Sequence, residues 1–166
     1  MDADTYLLIP IRAIRAIRAI RGNTSGNTNL FPTPGTDMFP MQMTDSSKGQ
    51  GQRELPRVSI IMPVLNAAGL LENCLASVAR QTYPRDRYEI VIADGGSTDG
   101  SQQIAQRYGA KVIDDRASRH MEDSKRVALE QSTGDYVVYL DADNEFTHPD
   151  YMELAVHALE ANPQAL

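Results

Sequence analysis

Cysteine, histidine, net positive charge and long apolar runs are all scarce in this chain of 166 residues, and each scarcity closes off a class of chemistry. Cys74 is the single cysteine, so no intramolecular disulfide can form. Its place in an apolar helical pattern reads as a buried structural thiol of a reducing compartment. His120, His148 and His157 lack the mutual spacing of zinc ligands. No apolar run approaches the roughly 18 residues of a membrane-spanning helix, and the N-terminus lacks the basic-then-apolar order of a signal peptide. A cytoplasmic location is therefore expected. The formal charge is −6, with 10 basic and 17 acidic side chains over residues 57–166 against 6 and 5 over residues 1–56. An acidic domain is a poor partner for duplex nucleic acid and a good one for cations.

Glycine cradles for phosphate are missing as well. There is no Gly-x4-Gly-Lys-Ser/Thr segment, and the first strand is followed by Leu65-Asn66-Ala67-Ala68 rather than Gly-x-Gly-x-x-Gly. A calcium-hand loop counted from Asp141 would need Gly and Glu where Phe146 and Met152 stand. Any phosphate bound here has to be met by a cation or by side chains.

What is present falls into three parts. Residues 1–21 end in an Ile-Arg-Ala repeat whose isoleucines drift by about 60° per repeat on a helix. The repeat reads as low-complexity sequence, with a membrane-surface helix as the sharper alternative. Residues 22–56 are rich in Gly, Asn, Thr, Ser, Pro and Gln and cannot bury enough surface to offset their ordering entropy, so a disordered linker is expected. Residues 57–166 alternate strand and helix patterns. Strands are expected at 58–64, 88–93, 111–113 and 135–140, and helices at 70–82, 99–108 and about 121–131. A last helix opened by Pro149 is expected to carry Leu154, Ala155, Ala158 and Leu159 on one face. This order predicts an α/β fold, a mostly parallel open sheet with helices on both faces.

Two stretches carry chemistry. Tyr136-Val137-Val138-Tyr139-Leu140 is a buried-strand pattern ending in Asp141-Ala142-Asp143. If the strand continued, two acids at i and i+2 would point the same way and address one ligand, at the strand end where open α/β sheets collect ligands. Two carboxylates beside a diphosphate can complete an oxygen shell around Mg²⁺ or Mn²⁺; a solvated turn is the plainer alternative. Ala93-Asp94-Gly95-Gly96-Ser97-Thr98-Asp99 offers a strand-end acceptor for a heterocycle N–H and a sharp glycine turn, and equally a cap for the next helix. Lys125, with Arg126, stands on the helix before the fourth strand, either reaching a phosphate or forming a solvated face.

Taken in order, Val58-Ser59-Ile60-Ile61-Met62-Pro63-Val64-Leu65-Asn66, Ser77 with Gln81-Thr82-Tyr83-Pro84, Glu89 through Asp99, and Thr133-Gly134-Asp135-Tyr136 through Asp143 resemble family 2 glycosyltransferases of the GT-A fold. The resemblance implies a Rossmann-like nucleotide-sugar-binding domain and inverting transfer of a sugar from a UDP- or GDP-sugar to a polysaccharide, lipid or other hydroxyl acceptor. It implies nucleoside contacts from Pro63, Leu65, Asn66 and Asp94, with Asp94 accepting from the base. Asp141 would lie near the ribose and metal, and Asp143 would be the principal ligand of Mg²⁺ or Mn²⁺. The glycine turn departs from the family's commoner form, which has a second acid where Gly95 stands. The family's general base lies well beyond the paired acids, and this chain stops at Leu166. A donor-binding half is expected, truncated at its C-terminus, with a binding module or gene fragment without turnover as the alternative. A sugar-phosphate nucleotidyltransferase would need a glycine- and arginine-rich loop that Leu65 to Gly69 does not supply.

Overall fold

The computed structural model describes residues 8–10 and 54–162. The Ile-Arg-Ala repeat at 11–21 and nearly all of the expected linker, 22–53, lie outside the described residues, as do 1–7 and 163–166. Four parallel strands form the sheet: β2 (Val58–Val64), β3 (Tyr88–Asp94), β4 (Lys111–Asp114) and β5 (Tyr136–Tyr139). A short β1 (Leu8–Pro10), which no sequence pattern announced, runs antiparallel along β5. The order is β1-β5-β2-β3-β4.

This order places the ligand-binding end. The crossovers from β2 to β3 to β4 run one way across the sheet, and β5 then returns to the other side of β2. Neighbouring connections therefore diverge between β2 and β5, and in open α/β sheets the crevice outside the carboxyl ends at such a point is where ligands sit. Pro63 fits the same geometry. The carbonyl of Ile61 accepts from the Leu140 N–H at 3.1 Å, so Ile61 addresses β5, and Pro63, two residues on, faces the same side after the β2–β5 pairing has ended. A central strand tolerates its missing N–H only where there is no ladder to complete.

Helices cover both faces, as the alternating pattern predicts. Helix α1 (Ala68–Ala79) buries Leu71, Cys74, Leu75 and Val78 at helical spacing. With α2 (Ser101–Arg107) and α4 (Tyr151–Ala161) it covers the face that carries Ile60, Met62, Ile90, Ile92 and Val138. Helix α3 (Met121–Glu130) covers the other face, packing Ala128 against Ile61, Val91, Ala93 and Val137. The core stripe of α4 differs from expectation. Met152 and Val156 are its buried residues, with Ala155 and Leu159 packed beside them, while Leu154 is 60% exposed. Pro149 precedes the Asp150 cap rather than opening the helix.

A half-buried polar knot locks the amino-terminal end of the sheet. Ser59 Oγ donates to Glu89 Oε1 at 2.6 Å, and the same oxygen accepts from the Thr133 N–H at 2.5 Å and Thr133 Oγ1 at 3.0 Å. The Gly134 N–H donates to Ser59 Oγ at 2.9 Å. Burial pushes the Glu89 carboxyl up, but the hydrogen bonds from Ser59 and Thr133 outweigh it and hold the group below its ordinary value. A Cβ on Gly134 would meet Ser59 Oγ at 2.7 Å, Ser59 N at 2.8 Å and Arg57 O at 2.9 Å. Two of these are backbone atoms that cannot step aside. Gly134→Ala is therefore expected to destabilise the domain by about 1–3 kcal/mol, the usual cost of overpacking, read as a lowered denaturation midpoint with an unchanged slope.

Candidate functional site

The carboxyl end of the sheet gathers three loops. After β2, the chain turns at Asn66, whose φ of 51° lies in the left-handed region that asparagine tolerates better than most residues. This turn is stitched to the loop after β3. The Asn66 N–H donates to Ser97 Oγ at 2.9 Å, Asn66 Oδ1 accepts from the Thr98 N–H at 2.9 Å, and the Ala67 N–H donates to Ser101 Oγ at 3.0 Å. Asp99 completes the seam. Its Oδ2 accepts from the Ala68 N–H at the start of α1, and its Oδ1 from the N–H and hydroxyl of Ser101 at the start of α2. One carboxylate thus satisfies free donors at two helix N-termini.

Asp94 closes β3 and is 1% exposed. Its Oδ2 is saturated: the Gly96 and Ser97 N–H groups donate at 3.0 Å each and Gln102 Nε2 at 2.7 Å. Its Oδ1 is buried and has no hydrogen-bond partner. Burial alone pushes this carboxyl up, but the bonds from Ser97, Gln102 and Gly96 prevail and hold it below the ordinary aspartate value. The group is an oriented carboxylate with one acceptor satisfied internally and one held in reserve. The glycine turn beside it needs its glycines unequally. Gly96 has φ +95°, and a Cβ there would meet Arg116 Cγ at 2.9 Å, whereas a Cβ on Gly95 meets nothing nearer than Leu65 Cδ1 at 3.4 Å. Leu65 is 62% exposed and lies over Gly95.

The paired acids stand on a turn. Strand β5 ends at Tyr139, and the Asn144 N–H closes onto the Asp141 carbonyl at 3.0 Å. The expected strand alternation therefore does not bring the two acids together; Asp and Asn favour turns, and here the turn wins. Asp141 is half-buried and its Oδ1 is a second buried acceptor without a hydrogen-bond partner, with Lys125 Nζ at 3.9 Å. Asp143 is exposed. Lys125 also pairs with Glu122, at 3.4 Å, while Arg126 pairs with Glu130 at 3.1 Å. Of the two cations before β5, only Lys125 joins the acids.

Oxygen donors of this kind suit a hard divalent cation. Among the described residues no group of three or more His, Cys, Asp or Glu gathers to enclose a metal. Mg²⁺ characteristically binds through one or two carboxylates, its waters and the phosphates of a substrate. The orphaned Asp141 oxygen beside an exposed Asp143 fits that habit.

Residues that the sequence marks only as a cap or a buried thiol, or does not mark at all, also support this end. Gln102 and Asp99 hold the Asp94 loop, and Arg116 lies against Gly96. Asp115 is buried, accepts from Ser118 Oγ at 2.5 Å through Oδ1 and leaves Oδ2 without a partner. Cys74 is buried beneath the acids, its thiol donating to the Asp141 carbonyl at 3.7 Å. Burial first, then the charges of Glu145, Asp143 and Asp141, push it up to about 12, so it stays a protonated donor. A Ser and a Thr three and four residues beyond a strand-end Asp, followed by another acid, are a legible signal for the seam; Arg116 and Asp115 carry no such signal.

Residues 59–166 match the family model described as Glycosyl transferase family 2. Glycosyltransferase AglE of Haloferax volcanii is 32% identical over 110 residues, covering 63% of this chain and 36% of that protein. The PGL/p-HBAD biosynthesis glycosyltransferase of Mycobacterium tuberculosis is 36% identical over 100 residues, covering 57% of this chain and 38% of that protein. Among solved structures, the mannosyltransferase PcManGT from Pyrobaculum calidifontis, in complex with GDP-Man and Mn²⁺, superposes with a TM-score of 0.59 at 33% identity, covering 64% of this chain and 33% of that one. TarS of S. aureus in complex with UDP superposes with a TM-score of 0.58 at 25% identity, covering 64% and 33%. The chain thus spans between a third and two fifths of the length of these relatives. Among the described residues no helix is long and apolar enough to cross a membrane.

Proposed function

The chain belongs to glycosyl transferase family 2, a glycosyltransferase fold of the GT-A type, and on that premise we propose that residues 57–162 form the donor side of a metal-dependent, inverting sugar transfer from a nucleoside-diphosphate sugar to an acceptor hydroxyl. The observation that carries the reading is the set of buried carboxylate oxygens without a hydrogen-bond partner at one end of the sheet, Asp94 Oδ1, Asp141 Oδ1 and Asp115 Oδ2, the first two on residues expected to meet the donor. A buried acceptor left unmade costs about 1–3 kcal/mol. A fold retains such a cost where a ligand removes it.

Each residue then has its task. Asp94 accepts the N–H of the nucleobase, with Pro63, Leu65 and Asn66 forming the wall beside it. Leu65 supplies apolar surface against the base or ribose, and Asn66 keeps that wall in place through its seam to Ser97 and Thr98. Asp141 and Asp143 hold Mg²⁺ or Mn²⁺ against the diphosphate, and Lys125 adds positive charge on the same side. When bound, the cation stabilises the negative charge that grows on the departing diphosphate. The anomeric carbon exchanges its bond to that diphosphate for one to the acceptor oxygen, whose proton passes to a base. Mn²⁺ with GDP-Man in PcManGT, and UDP in TarS, support a nucleotide-sugar donor and a divalent metal.

Titration calorimetry tests the reading. GDP and UDP are titrated into the chain with Mn²⁺, with Mg²⁺ and with chelator, and at least one nucleotide is expected to bind with metal about tenfold or more tighter than without it. Failure of both nucleotides to bind under every condition would overturn the proposal.

A further inference from the structure

Helix α1 faces the acid-bearing loop with polar side chains that its core position would not require. Ser77 is 1% exposed and Gln81 is 8% exposed, four residues apart on the buried side of α1 and its continuation. Neither pairs with another polar side chain. Ser77 Oγ donates to the Cys74 carbonyl at 2.7 Å and accepts from the Phe146 N–H at 2.9 Å. Gln81 Nε2 donates to the His148 carbonyl at 2.8 Å, and Gln81 Oε1 accepts from the Met152 N–H at 3.1 Å. The Thr82 N–H donates to the Pro149 carbonyl at 2.7 Å. With the Cys74 thiol on the Asp141 carbonyl, residues 74–82 hold backbone groups at five points between Asp141 and Met152. Phe146, buried and stacked on Tyr151 with centroids 5.2 Å apart, adds an apolar anchor in the same stretch.

We propose that Ser77 and Gln81 are positioning residues for the metal-binding acids, α1 acting as the shelf on which the loop of Asp143 rests. Asp143 stands between two fixed points, the Asp141 carbonyl on Cys74 and the Phe146 N–H on Ser77. Its carboxylate is exposed and has no structural bond of its own among those described, so its height above the sheet is set by the backbone on either side. An irregular loop of this length has no ladder to define it, and buried side chains that bond its N–H and C=O groups are what give it one conformation. Outer-shell partners of metal ligands act in this way, and their loss typically weakens metal binding about 10–100-fold. The inference rests on the metal-dependent nucleotide reading above and adds which residues set that metal's affinity.

The experiment measures the Mn²⁺ concentration that half-restores nucleotide binding, using whichever of GDP and UDP binds, in the full chain and in Ser77→Ala and Gln81→Met. Ser77→Ala removes the acceptor for the Phe146 N–H, and Gln81→Met keeps the volume of the side chain while removing both bonds to the loop. A role in stability alone lowers the folded fraction and the amplitude but leaves the Mn²⁺ midpoint in place. The expected result is a midpoint raised about tenfold or more in either variant that folds, with nucleotide binding in chelator unchanged and with restoration in Ser77→Thr, which keeps the hydroxyl. Metal-dependent binding by the unaltered chain, with unshifted midpoints in the variants, would overturn this inference alone. Metal-independent binding by the unaltered chain would overturn the metal reading and this inference with it.

Discussion

Asp143→Ala is expected to abolish the metal-dependent part of nucleoside-diphosphate binding, with a loss of 100-fold or more in affinity in the presence of Mn²⁺ (about 2.7 kcal/mol or more) and none in chelator. Asp143 is exposed and stands on a turn, so its truncation leaves no buried group unpaired and the fold should be unaffected. Asp141→Ala is a less clean experiment, because Lys125 lies 3.9 Å from Asp141 Oδ1 and would be left with Glu122 as its one carboxylate partner. The decisive comparison is between the two nucleotide titrations of the Asp143 variant, with and without Mn²⁺. If metal still tightens binding as it does in the unaltered chain, Asp143 is not the principal ligand.

The second large effect is expected at the opposite end of the site. Asp94→Asn is nearly isosteric, and its amide oxygen can still accept from Gly96, Ser97 and Gln102, which keeps the glycine turn in place. The amide nitrogen must then take the position of Oδ1, so a reserved acceptor becomes a donor. A nucleobase N–H arriving there meets another N–H, and mismatches of this kind in a site built for hydrogen bonding commonly cost a factor of 10² or more. Binding should fall by about that factor with and without metal, in contrast to Asp143→Ala, which should act only in its presence. Equal affinities of the Asn variant and the unaltered chain for both GDP and UDP would remove Asp94 from the nucleoside contacts. Because the folded carboxyl titrates below its ordinary value, its acceptor should remain charged as pH falls through about 4, where an unperturbed aspartate is half protonated.

The strands were legible because parallel strands buried on both faces read as apolar runs, and β2, β3 and β5 are such runs. Helix α1 was legible from Leu71, Cys74, Leu75 and Val78. Helix α4 was less so, since Leu154 and Ala158 make as good an apolar stripe on paper as Met152 and Val156. Only the rotation of the helix about its own axis decides between them. The place of the acids after β5 is legible, but whether the strand continues or turns there is not, because the turn that starts at Asp141 holds no glycine or proline and only its Asp and Asn residues favour it. Ser77 and Gln81 belonged to a recognisable block, yet their purpose was hidden. Their partners are backbone groups of Phe146, His148 and Met152, 67 to 71 positions away, and the identity of those residues carries no trace of the bond. Strand β1 was invisible for a related reason: three residues are too few to show a period.

The two faces of the sheet are unequally secured. One side carries three helices and most of the core. The other carries α3, whose one fully buried residue is Ala128. Lys125 rides on that helix, so the cation 3.9 Å from Asp141 Oδ1 is borne by an element with one fully buried residue. Local opening free energy follows the burial of each element, so the amide exchange of α3 reads how firmly this face is held. On the proposed function, a diphosphate held by Lys125 would stabilise the docked helix by mass action. Donor occupancy and the firmness of this face would then be one linked equilibrium, with the thinner side of the protein acting as its reporter.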